Sequence, residues 1–168
     1  MKLELKNVKI HPDMSEETTC FSATLWVDGK RAASCRNDGR GGSTDVYFED
    51  RELMLSVYQW CKDNPIRNWY REKEYIFDSL DARVDEMVIE IQYSKEFKSK
   101  EKSQLILRDK NSKDPEYIFH ATFKLQSTIN VLKRTEKGRE SLKMAITKMR
   151  AKGYEIMNNN IDFEELGL

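Results

Sequence analysis

The stretch Phe21-Ser-Ala-Thr-Leu-Trp-Val27, followed at once by Asp28-Gly29, leaves this chain few options. Phe21, Ala23, Leu25 and Val27 alternate with Ser22, Thr24, Trp26 and Asp28, the period of a strand with one buried face. Asp-Gly accepts the positive φ values of a two-residue type I′ turn. The pattern therefore predicts a hairpin with Val27 opposite Lys30, Trp26 opposite Arg31 and Leu25 opposite Ala32. In that register Trp26 and Arg31 can stack as a cation–π pair on the outer face. Ala32 and Ala33 leave room for another layer. Upstream, Leu3 and Leu5 alternate with charged residues, and Val8 and Ile10 then change parity, which predicts a bulge near Asn7.

After a glycine-rich connection, a short strand is expected at 46–48. Asp50 is placed to cap a helix with Leu53, Val57, Trp60 and Cys61 on one stripe, stopped by Asn64-Pro65. Residues 65–77 show no clear period and read as a packed connector. A second helix starts near Asp78 or Ser79, with Leu80, Val84, Met87, Val88 and Ile91 on one face. Beyond Tyr93 the pattern fades into an exposed lysine-rich stretch. A second hairpin is expected from 105–108 and 117–125, around a turn-forming run ending in Asp114-Pro115. Ser127 can cap a short turn. Thr135 can cap a longer helix that ends at Gly153, after which extended structure resumes near Tyr154 and Ile156. Segregated β and α runs define an α+β fold. It has an N-terminal antiparallel sheet with its hairpin, three or four helices, and a second hairpin near 105–125.

A length of 168 residues suits one domain over 1–168, or two halves at 1–64 and 78–168. Twenty-nine Lys+Arg balance 29 Asp+Glu, which excludes a basic footprint over the whole molecule. No window reads as a membrane span or a signal peptide. Cys20, Cys35 and Cys61 form no CxxC pair, and as an odd set they read as reduced thiols in a cytoplasmic protein.

Three of the seven glycines fall within Asn37-Asp38-Gly39-Arg40-Gly41-Gly42. Glycine lets backbone amides converge into an anion-binding nest. Arg36 and Arg40 could add bidentate donors, and Ser43 a hydroxyl. These residues, 36–43, are the ligand-binding candidates, for a phosphate-bearing ligand such as a nucleotide. The segment fits neither a Walker nor a dinucleotide-binding pattern. The other reading is an ordinary turn-rich connection.

Farther along, Lys133, Arg134, Lys137, Arg139, Lys143, Lys148, Arg150 and Lys152 face only Glu136 and Glu140, a local excess of six positive charges. That surface could meet nucleic-acid phosphates or an acidic protein, or be a solvated helix face. Arg67, Trp69, Tyr70, Arg71 and Tyr75 resemble a stacking platform for single strands, though core packing accounts better for such rings.

Catalytic chemistry has little to draw on. His120 lies in an expected strand and reads as structural. His11, Asp13, Glu16 and Glu17 crowd one loop without a metal-ligand spacing. No nucleophile elbow or Cys-His signature is present. The expectation is a protein that is not an enzyme, with no cofactor and no metal.

The segment Phe21-Ser-Ala-Thr-Leu-Trp-Val-Asp-Gly-Lys30, with the following Asn-Asp-Gly-Arg-Gly-Gly loop, resembles small uncharacterised bacteriophage and prophage accessory proteins. The stretches 132–139 and 151–158 are similar to them too. The resemblance implies a viral accessory protein in a bacterial cytoplasm. Such a protein would bind and modulate a host factor, for example a defence component, as anti-CRISPR and other anti-defence proteins do. A nucleotide-sequestering protein using the glycine-rich loop and a nucleic-acid binder using the basic helix stand as alternatives. Dimerisation through the Trp26 face or the 117–125 strand remains open.

Overall fold

A computed structural model describes residues 1–70 and 73–168. The chain divides into two compact units, one formed by 1–68 and 74–92, the other by 69–73 and 93–168. One helix, α2 (Leu80–Lys100), gives residues 80–92 to the first unit and 93–100 to the second.

The first unit is a four-stranded antiparallel sheet in the order β1 (Leu3–Ile10), β2 (Phe21–Val27), β3 (Lys30–Asn37), β4 (Asp45–Phe48). Asp28 and Gly29 turn the β2–β3 hairpin at φ 47° and 80°, as the Asp-Gly pair requires. Val27 pairs with Lys30 and Trp26 with Arg31, but Leu25 pairs with Ala33, because a bulge inserts Ala32. The extra residue leaves both alanines buried. The β1 bulge falls between Lys6 and Lys9, with Asn7 at φ 55°.

Helix α1 (Arg51–Asp63) starts where the Asp50 carboxylate accepts from the amides of Glu52 and Leu53. The core of this unit joins Phe21, Leu25, Val27 and Cys35 to Val57 and Cys61 of α1 and to Leu80, Val84 and Val88 of α2 (Leu80–Lys100). Leu25, Val57 and Leu80 are fully buried, each worth roughly 1.5–3 kcal/mol relative to an exposed side chain.

Residues 66–70 and 73–77 are not a packed connector. They form a two-stranded sheet, β5 (Ile66–Tyr70) and β6 (Lys73–Phe77). Ile66, Tyr75 and Ile76 are exposed, so no single face is selected for burial and no two-residue period marks the strands. Helix α2 also runs farther than its apolar stripe, through residue 100. There an i,i+4 pair, Glu96–Lys100 at 2.5 Å, and lysines in the last turn support it.

The second unit holds a three-stranded sheet in the order β8 (Ala121–Lys124), β7 (Gln104–Asp109), β9 (Tyr154–Ile156). Helices α3 (Ile129–Leu132) and α4 (Glu136–Ala151) follow β8. Leu105, Leu107, Ile129, Leu142, Ile146 and Met149 form its core. Strand β8 is shorter than the expected 117–125. The Arg108 guanidinium donates to the carbonyls of Asp114, Pro115 and Ile118, which folds residues 114–118 back as a loop. Thr128, not Ser127, occupies the N-cap of α3 and makes no side-chain cap bond, while Thr135 accepts from the Gly138 amide at the start of α4.

Candidate binding surfaces

The glycine-rich loop is organised around Asn37, a side chain only 6% exposed. Its carbonyl oxygen accepts from the Thr18 hydroxyl at 2.8 Å and the Gly39 amide at 2.8 Å. Its Nδ2 donates to the Gly42 carbonyl at 3.0 Å and the Thr44 hydroxyl at 3.1 Å. The Gly41 amide donates to Thr18 and the Arg40 amide to Asp38. Seen from the other side, the Gly39 carbonyl accepts from the amides of Glu16, Glu17 and Thr18. Gly39 has φ 85°, and a Cβ there would sit 2.3 Å from the Met14 carbonyl oxygen.

The glycines thus allow two loops to approach each other. The amides of residues 39, 40 and 41 are all engaged within the protein, so they do not form the convergent nest that the anion reading needs. Asp38, Arg40, Gly41, Gly42 and Ser43 remain exposed at the loop surface.

Behind the loop lies a cavity of about 400 Å³ lined by Glu16, Glu17, Thr18, Phe21, Asn37, Asp85 and Val88, among others. Thr44 links this wall to α2 by donating to Asp85. Burial raises the Asp85 carboxyl above its ordinary value, partly offset by that hydrogen bond. Among the described residues no three His, Cys, Asp or Glu side chains come together as a metal set. His11, Asp13, Glu16 and Glu17 do not converge on one.

Arg36 belongs to a different surface. It projects from β3 onto the sheet face opposite the helices. There Nε donates to Asp45 at 3.3 Å, and Nη2 donates to the Tyr47 hydroxyl at 3.1 Å. Those acceptors hold its guanidinium firmly protonated, Asp45 foremost. Lys2, Lys6, Lys9, Ser22, Thr24, Trp26, Arg31, Ser34, Asp45 and Tyr47 share this face by strand alternation. Tyr47 is 50% exposed. The cation over Trp26 is Lys6, at 3.7 Å, and not Arg31 as the hairpin register suggests. The reason is that β1 flanks β2 on its other side.

The basic segment at 133–152 is less uniform than its composition. The buried stripe Gly138, Leu142, Ile146 and Met149 divides the α4 cations into two rows. Arg139, Lys143 and Arg150 are half-buried along one side, while Lys137, Lys148 and Lys152 are exposed along the other. Several serve local packing. Arg139 donates to the Lys133 carbonyl at 3.0 Å, the Lys133 ammonium lies 3.5 Å from the Asn160 carbonyl, and Arg150 stacks 4.8 Å from the Phe163 ring centre. Arg134 remains exposed.

His120 lies in the β7–β8 connection, just before β8. Its Nδ1 accepts from the Asp109 amide at 3.2 Å, so the ring proton sits on Nε2, which donates to Asp114 at 2.7 Å. Ser112 approaches that same nitrogen at 3.2 Å. In a Ser-His-Asp triad the serine and the carboxylate occupy opposite ring nitrogens; here they share one. The histidine closes a loop and has no lone pair free to act as a base.

All three cysteines are buried and unpaired. Burial pushes the Cys35 thiol up to about 12, away from reactive thiolate. Of the 65–77 platform, Arg67 pairs with Glu74 at 3.4 Å, Trp69 lies 4.6 Å from the Lys113 ammonium, and the Tyr70 and Tyr117 hydroxyls are 2.9 Å apart. Arg71 lies outside the described residues. No described helix is long and apolar enough to cross a membrane. Compared with known protein families, with curated proteins and with solved structures, the chain matches none.

Proposed function

We propose that this chain is a non-enzymatic binding protein that engages a protein partner through the open face of its β1–β4 sheet. In the phage-type setting that the sequence resemblance implies, the partner is a bacterial host factor. The observation that supports this is the face itself: an uncovered sheet surface carrying Trp26, half-exposed Tyr47 and five cations, beside the exposed rim of the glycine-rich loop. Aromatic and arginine side chains are the types that dominate protein-binding energetics.

The test is a quantitative pull-down from bacterial lysate with tagged intact chain, an Arg36→Glu/Tyr47→Ala variant and a Lys137→Glu/Lys148→Glu variant. The expected result is a stoichiometric protein recovered by the intact chain and the helix variant, and lost from the sheet variant. Equal recovery by the sheet variant would remove this face from the function.

A further inference from the structure

The strand register arranges the open face in three cross-strand rows. They run Lys9–Ser22–Arg36–Asp45, Lys6–Thr24–Ser34–Tyr47 and Glu4–Trp26–Arg31. Its middle is a strip of short hydroxyl side chains, Ser22, Thr24 and Ser34, with longer charged residues on either side. Lys2, Lys6, Lys9, Arg31 and Arg36 stand against only Glu4 and Asp45. Both carboxylates are already engaged, Glu4 by Lys2 at 3.0 Å and Asp45 by Arg36 at 3.3 Å. Lys6, Lys9 and Arg31 therefore keep uncompensated charge among the described residues.

The rings narrow the ligand chemistry further. Lys6 caps Trp26, and the Arg36 guanidinium lies 5.3 Å from the Tyr47 ring centre. A nucleic-acid base would have to displace these cations before it could stack. A carboxylate meets them as they stand, and also accepts from serine and threonine hydroxyls.

We propose that this strip is the docking site for an extended acidic segment of the partner protein. Its carboxylates lie over Lys6, Lys9 and Arg31, and the hydroxyls of Ser22, Thr24 and Ser34 line the floor. The inference rests on the protein-binding reading above and names the chemistry of the partner. Charge complementarity carries it, through rate of encounter and choice of partner.

Fluorescence anisotropy with labelled poly-L-glutamate, and with an oligothymidylate of equal charge, tests the assignment on the intact chain. Poly-L-glutamate should bind at 50 mM salt and weaken about tenfold by 200 mM. Lys9→Glu/Arg31→Glu should weaken it a further tenfold or so, with the melting temperature within about a degree of the parent, because exposed charges contribute little to stability. Lys137→Glu/Lys148→Glu should change it by less than about twofold.

Absence of binding at low salt, or equal loss from both double variants, would overturn the proposal. Tighter binding of the oligothymidylate would assign the face to nucleic acid instead, and a dimer in sedimentation velocity that Lys9→Glu/Arg31→Glu dissociates would assign it to a second copy. The two readings fail separately. A lysate partner that depends on the face, with no affinity for poly-L-glutamate, removes only the acidic assignment. Poly-L-glutamate bound to the face, with a lysate partner indifferent to it, removes only the protein-binding role.

Discussion

The two cationic regions of this molecule use the same residue types differently. On α4, a buried stripe passes between the basic residues, and several of them turn inward to carbonyls and rings at the edge of the core. Arg139 closes onto the Lys133 carbonyl, and Arg150 lies against Phe163. On the β1–β4 sheet the pleat sends every second residue to one side, so Lys6, Lys9, Arg31 and Arg36 collect on a face with no core beneath their heads. A local charge excess is therefore a poor measure of how many cations stand together and free of local packing. The 133–152 segment has eight cations and turns Lys133, Arg139 and Arg150 to its own packing; the sheet face has five and presents them together.

The largest expected effects come from the frameworks beneath the two regions. Asn37→Ala removes four hydrogen bonds and leaves buried donors and acceptors unmet beside the sheet. Urea unfolding should register a loss of about 3 kcal/mol. Gly138→Ala would place a Cβ 2.2 Å from the Leu132 carbonyl at the start of α4. A loss of about 2 kcal/mol is expected there. A neutral outcome at either site would mean that the segment adjusts easily and its region is not held as described.

Next in size are the cations themselves. Arg139→Ala should cost about 1 kcal/mol, and Arg150→Ala about 0.5 kcal/mol, through lost hydrogen bonding and stacking. Lys9→Ala and Arg31→Ala should stay within about 0.3 kcal/mol of the parent in the same measurement. Equal losses from helix and sheet substitutions would dissolve the contrast.

The smallest effect is at Asp85. Burial raises its carboxyl in the folded state, so the fold favours the protonated form. The stability this confers is full below the ordinary aspartate range and is lost as pH rises through the raised value. Asp85→Asn keeps an acceptor for Thr44 and removes the titration. Unfolding free energy against pH should flatten above the ordinary aspartate range, with a gain of only about a few tenths of a kcal/mol at neutral pH, since solvent screens a partly exposed group. An unchanged slope would place the pH dependence elsewhere.

Where local chemistry is sufficient, the sequence was legible. Asp28-Gly29 set the hairpin, because few other pairs tolerate two consecutive positive φ values. Asp50 and Thr135 marked helix starts, because their side chains satisfy amides only a few residues away. The β5–β6 strands were not legible, since neither has a consistently buried face. The far half of α2 was missed because charge and propensity, not an apolar stripe, carry it to residue 100. His120 looked like a strand residue because nothing nearby in sequence shows that Arg108 gathers the preceding carbonyls into a loop.

By itself, the sequence determined the α+β class, the sheet's inward and outward residues and the uneven spread of charge, because each follows from period and composition. Packing between distant segments, not local sequence, decided that Gly39 serves a close approach of two loops and not an anion-binding nest. Asn37 ends β3 and Gly39 follows it, while Thr18 and Met14, which they meet, lie before β2, so the amides' partners are fixed by packing across the chain. The same holds for the cations. A lysine or arginine becomes a docking group or a packing group according to what stands within reach of its head, and those neighbours come from distant parts of the chain.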